Sequence, residues 1–264
     1  VLTDIELHQC ARALYDAERD REWIEPLSTT HPGLDKADAY RISTLVTGLK
    51  TAAGRRVVGH KVGLTSTVMR ELVGFDEPDY GSMFDDWVVP ESGTIPFSEL
   101  NKARAEIELA FVLGKPLDMP RPTAADVIRA TEFVLPSIEI VDSRFRVRGT
   151  VLDSIADAAT CGRVVLGSRP RRLTDIDVRA VVGTLEIDGE VVATGTAAES
   201  MGSPVNAVAW LAATLHDFDV ALQPGHVVLS GSFVRAPWLS AGQDVVARFE
   251  GCGSASVSIG RDAQ

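Results

Sequence analysis

Cysteine is scarce in this chain. Its 264 residues hold 3, Cys10, Cys161 and Cys252, and no CxxC pair. An odd and scattered set does not build a disulfide framework, so a reducing compartment is expected. Positive charge is also in short supply. There are 26 Lys and Arg against 37 Asp and Glu, a net charge of −11. This balance argues against general binding to nucleic acid or to an anionic membrane, and favours a small or cationic ligand. No apolar run approaches the roughly 20 residues needed to span a bilayer. The opening Val1-Leu2-Thr3-Asp4 lacks the basic-then-apolar pattern of a secretory signal, and a cytoplasmic protein is expected. Internal repeats, low-complexity tracts and a Rossmann glycine fingerprint are missing as well. What is present, 45% hydrophobic and 24% charged residues, suffices for one large core.

Helix signals come first. Thr3 followed by Glu6 reads as a capping box, and Leu7, Cys10, Ala11, Leu14 and Ala17 recur at helical spacing. Residues 28–34 read as a loop. Ala39, Ile42, Val46 and Leu49 mark a second helix, with Gly54 as its stop. From Arg56 onward short strands and turns dominate. Asp188-Gly189 signals a tight hairpin, and Pro204 opens a further helix. Helices first and mostly strands afterwards predict an α+β fold. The expected division is an N-terminal helical layer over 1–55 and a β-rich catalytic domain over 56–264, together one compact unit.

Two strand-like runs carry isolated carboxylates. Glu106 and Glu108 lie in Ala105-Glu106-Ile107-Glu108-Leu109-Ala110-Phe111-Val112-Leu113. Strand side chains alternate, so both point to one face. Glu139 lies alone in Phe133-Val134-Leu135-Pro136-Ser137-Ile138-Glu139-Ile140-Val141. Half-buried like charges are costly unless neutralised, and a divalent cation neutralises them most simply. Oxygen-only donors favour Mg²⁺ or Mn²⁺ over Zn²⁺. The competing reading is three solvated strand faces or pairing with a base such as Arg104.

Four further segments hold candidate groups. Lys61 lies between glycines in Gly59-His60-Lys61-Val62-Gly63, either as a ligand-facing cation or as an exposed edge-strand lysine. His60 points the other way and is read as structural. Asp79 sits in the turn-like Glu77-Pro78-Asp79-Tyr80-Gly81, as a general base or as a turn former. Arg144, Arg146 and Arg148 form a basic loop, either a lid or a solvated surface. Ser230, in Ser230-Gly231-Ser232-Phe233-Val234-Arg235, is placed to hold a carboxylate oxygen or simply to end a strand.

Taken together and in this order, these segments and Asn206-Ala207-Val208-Ala209-Trp210-Leu211-Ala212 form a pattern. It resembles the 2-keto-4-pentenoate hydratase family, with its 2-oxohept-4-ene-1,7-dioate hydratase and 4-oxalocrotonate decarboxylase branches, within the fumarylacetoacetate hydrolase superfamily. The resemblance implies a mixed β-roll core and homo-oligomeric assembly, with a complex with a pathway enzyme as an option. It implies Mg²⁺ or Mn²⁺ on Glu106, Glu108 and Glu139, and catalytic roles for Lys61 and Asp79. Arg144 and Ser230 would contact substrate, and Arg235 would meet a distal carboxylate. The implied activity is hydration of a small 2-hydroxy-2,4-dienoate in the breakdown of aromatic or related rings. Decarboxylation, acylpyruvate hydrolysis and a silent partner subunit are the alternatives. One segment departs from the family: Asp157-Ala158-Ala159-Thr160 stands where an Asp-Asn-Ala-Ser-like run is usual, and alanine lacks the amide hydrogen bonds of asparagine.

Overall fold

A computed structural model describes residues 1–261. Helix α1 (Asp4–Asp20) opens on the capping box: the Glu6 amide donates to the Thr3 hydroxyl, and the Thr3 amide donates to the Glu6 carboxylate. Its buried stripe is Leu7, Cys10, Ala11, Leu14 and Ala17. Within the stretch read as a loop, a single helical turn, α2 (Leu27–Thr30), forms after Pro26. One turn is too short to leave a periodic signature. Helix α3 (Lys36–Ala52) is capped by Asp35, which accepts from the Asp38 amide, and buries Ala39 and Ile42. It packs along α1.

The remainder runs β1 (Val57–Gly63), α4 (Thr67–Val73), β2 (Asp79–Phe84), β3 (Val88–Val89), β4 (Thr94–Ile95), β5 (Arg104–Leu113), α5 (Ala124–Ala130), β6 (Thr131–Val141), α6 (Val151–Ala156), β7 (Cys161–Leu166), β8 (Val182–Ile187), β9 (Glu190–Thr196), α7 (Pro204–His216), β10 (Val227–Leu229), β11 (Asp244–Phe249) and β12 (Gly253–Ile259). A mixed sheet is ordered β2-β1-β10-β5-β6-β7-β3, and a second is ordered β4-β12-β11-β8-β9. This is the α+β class expected. Buried residues of α1, α3 and both sheets join one hydrophobic core. Among the described residues no helix is long and apolar enough to cross a membrane. The β8–β9 hairpin turns on Asp188 and Gly189, both at positive φ, as a tight two-residue turn requires.

Asp79 differs from its turn-like reading. It begins β2, buried, directly opposite Gly63 of β1. Local Pro-Asp chemistry signals a turn, but pairing with a strand far back in the sequence overrides it.

Strand alternation sorts the two central strands. On β5, Ala105, Ile107 and Leu109 are fully buried in the apolar core. Arg104, Glu106 and Glu108 therefore share the opposite face. The antiparallel register sets Glu106 against Glu139 and Glu108 against Ser137 on β6.

The departing segment 157–160 forms a left-handed turn without glycine. Ala158, Ala159 and Thr160 have φ of 50°, 51° and 59°. Left-handed L-residues cost about 1–2 kcal/mol each, most for a β-branched one. Asparagine tolerates this region better than alanine, which gives a backbone reason for the family's usual residue at position 158. The turn is held down from both sides. Arg144 pairs with Asp157, and the Ala158 carbonyl sits so close to Gly81 that a methyl there would lie 2.0 Å from it. Thr160→Asn is expected to stabilise the protein by about 0.5–1 kcal/mol in urea unfolding, and Thr160→Val to give no gain. Equal stability of the Asn variant and the parent would show that the turn is unstrained.

Candidate functional site

The register brings three carboxylates to one place. Single oxygens of Glu106, Glu108 and Glu139 all lie within 4.8 Å of one another. Glu108 and Glu139 are fully buried, whereas Glu106 is half-buried and marks the open side. Glu108 accepts from the Gly231 amide at 2.6 Å through Oε2, while its Oε1 has no partner. The Lys61 ammonium pairs with Glu139 Oε1 at 3.2 Å, and Glu139 Oε2 has no hydrogen-bond partner. Buried carboxylate oxygens without donors are rare in folded proteins. Here they converge on one another, which is the arrangement a hard cation satisfies.

Lys61 and Asp79 border this cluster. Lys61 is buried on β1. Asp79 lies across from Gly63, and a methyl on that glycine would sit 2.1 Å from Asp79 Oδ1 and 3.3 Å from Lys61 Nζ. Only glycine leaves room for the two side chains over the strand. Asp79 Oδ1 also lacks a hydrogen-bond partner.

The charges are strongly coupled. Burial pushes Glu108 well above the usual carboxylate range, and Glu139 and Glu106 push it further. Burial raises Glu139 to about 7, with the Lys61 ammonium opposing the rise. Asp79 is raised by burial, with Lys61 again opposing. Burial alone would lower Lys61, but Glu139, Glu106, Asp79 and Glu108 outweigh it and keep the ammonium charged. One lysine faces four carboxylates, so the metal-free site holds protons that exposed carboxylates would lose. His60, on the other face of β1, is held neutral by burial, its pKa lowered to about 3. Its ring lies near Tyr80 and His226.

Three other expected residues stand differently. Arg144 is buried rather than part of an open lid. It pairs with Asp157 and donates to the carbonyls of Asp157 at 2.7 Å and Cys161 at 2.8 Å. Ser230 is buried too, and its hydroxyl donates to the Leu109 carbonyl at 2.9 Å. Arg235 is exposed on the segment after β10. Sequence reading missed the Gly231 amide, which only register places at Glu108, and Ser154 on α6, whose hydroxyl helps lower Asp79 and which carries no local motif.

The family model for the fumarylacetoacetate (FAA) hydrolase C-terminal domain matches residues 73–259. A 2-keto-4-pentenoate hydratase of Paraburkholderia xenovorans is 38% identical over 96% of this chain and 94% of its own. A 2-oxo-hept-4-ene-1,7-dioate hydratase of Escherichia coli is 40% identical over 85% of this chain and 87% of its own. Among solved structures, 4-oxalocrotonate decarboxylase from Pseudomonas putida G7, complexed with magnesium and adipate, superposes with a TM-score of 0.94. It is 30% identical, covering 98% of this chain and 99% of its own. Family model and relatives alike span the strands that carry the three glutamates, and the chain belongs to the fumarylacetoacetate hydrolase family.

Proposed function

We propose that this protein is a metal-dependent hydratase. It adds water to a 2-hydroxy-2,4-dienoate and gives a 4-hydroxy-2-keto acid in ring catabolism. The observation that carries the reading is the cluster of three carboxylates, two of them fully buried with unpartnered oxygens, beside Lys61 and Asp79. The hydratase names of relatives matched over nearly the whole chain support it. Glu106, Glu108 and Glu139 would hold Mg²⁺ or Mn²⁺, which supplies Lewis acidity to a 2-oxo acid. Homo-oligomeric assembly is part of the same reading.

The chain's own residues then divide the work. Asp79, raised by burial, exchanges a proton more readily near neutral pH than an exposed carboxylate does. Lys61 stays cationic, so it stabilises developing negative charge. Between them they carry the dienol to its conjugated ketone, after which water adds at C4. Arg144 and Ser230 hold backbone, and we assign them to positioning: Arg144 braces the 157–160 turn and Ser230 fixes the strand end beside Gly231. Decarboxylation is the second reading, favoured by the close superposition on 4-oxalocrotonate decarboxylase.

Incubated with a 2-hydroxydienoate and Mg²⁺, the protein is expected to bleach the ultraviolet absorbance without releasing carbon dioxide. Glu106→Gln is expected to lower the rate by at least about a thousandfold. Carbon dioxide release would select the decarboxylase, and an unchanged absorbance would select the silent subunit.

Proton competition gives the pH dependence. The cation needs ionised ligands, and Glu139 is raised to about 7. Affinity for Mn²⁺ should therefore fall as pH drops through that value, by up to about tenfold per pH unit for each proton displaced. The same raised value favours the protonated fold, so the metal-free protein should lose stability as pH climbs from the ordinary carboxylate range through about 7. Calorimetric titration with Mn²⁺, and melting in chelator, check both halves. An affinity that stays flat from about pH 8 to about pH 6 would contradict the ligand assignment.

A further inference from the structure

Arg104 is the charged residue of β5 on the carboxylate face that the reading above does not use. It lies two residues before Glu106 on β5, about 7 Å along the strand, on the same face. Its Nε is buried without a hydrogen-bond partner, and among the described residues Arg104 forms no ion pair. Its guanidinium carbon lies 5.2 Å from the centroid of the Trp238 ring. Trp238 itself is 63% exposed, unusual for so large an apolar side chain.

The chain path explains why these two meet. After β10, the segment runs antiparallel beside β5. The Phe233 amide donates to the Ile107 carbonyl at 3.1 Å, the Ala105 amide to Pro237 at 3.1 Å, and the Leu239 amide to Ala103 at 2.9 Å. Arg104 and Trp238 therefore face each other as a bridge pair. Between these contacts the segment bulges, with exposed Arg235 on the bulge. The face closes toward Glu108, which is fully buried, and opens toward Glu106 and Arg104.

A guanidinium stacked on an indole has one face covered and its N–H edge free, the geometry that grips a planar carboxylate. We propose that Arg104, stacked on Trp238, receives the distal carboxylate of a dicarboxylic substrate whose 2-oxo acid end sits at the three glutamates. The spacing suits an extended six- or seven-carbon diacid and leaves a short monoacid without this contact. This rests on the hydratase reading for the position of the 2-oxo end.

Binding of adipate and of hexanoate to the Mg²⁺-loaded protein, measured by calorimetry, tests it without turnover. The parent should bind adipate at least about tenfold more tightly than hexanoate. Arg104→Gln should bring adipate down to the hexanoate level and leave hexanoate unchanged. Arg104→Lys, which keeps the charge but loses the planar fork, should fall between. Arg235→Gln serves as the comparison and should leave the preference in place. Equal weakening of both acids by Arg104→Gln, or no weakening of either, would overturn the proposal, as would a parent that does not discriminate. Unchanged melting and Mn²⁺ binding in the Arg104 variants exclude a folding cause. Failure of the hydratase reading shows separately, as a parent protein that binds adipate yet leaves dienoate absorbance unchanged.

Discussion

Burying like charges next to one another is the constraint on which the rest of this structure depends. Glu106 and Glu139 stand directly opposite across two antiparallel strands, with Glu108 one pleat further along the same face. Opposed like charges weaken a sheet, and burial adds a desolvation cost that a single lysine does not cancel. The fold tolerates the arrangement because β5 and β6 are long, central and buried on their other face by Ile107, Leu109, Ile138 and Ile140. Stability supplied by the apolar side of the sheet holds together a polar side that would otherwise spread apart.

The surroundings keep that polar side rigid. The Gly231 amide fixes one Glu108 oxygen and leaves the other free. Gly63 leaves space for Asp79 to approach Lys61. The left-handed 157–160 turn, strained and clamped by Arg144 and Asp157, presses the Ala158 carbonyl against Gly81, two residues from Asp79. Residues outside the cluster thus set the separation between Lys61, Asp79 and the carboxylates. Buried ion pairs of this kind act through position more than through net stability.

Much of this is legible in the amino-acid sequence. Lone glutamates inside apolar runs cannot be ordinary core residues, and period-two alternation places Glu106 and Glu108 on one face. Capping and periodicity disclosed α1, α3 and α7 because those signals are local. Non-local features were hidden. Asp79 resembles a turn residue until β1 pairs with β2, and Arg144 resembles a lid residue until Asp157 folds back onto it. The contact of the Ser230 hydroxyl with the Leu109 carbonyl was hidden in the same way. The Arg104–Trp238 pair arises from a chain crossing more than a hundred residues distant in sequence, which no local pattern encodes.

The central claim is that one divalent cation is shared by Glu106, Glu108 and Glu139. Crystals soaked in Mn²⁺, with anomalous difference density measured near the manganese edge, test it most directly. The account predicts one strong peak bridging oxygens of all three glutamates. A map with no peak between them, or with its strongest peak elsewhere, would contradict it.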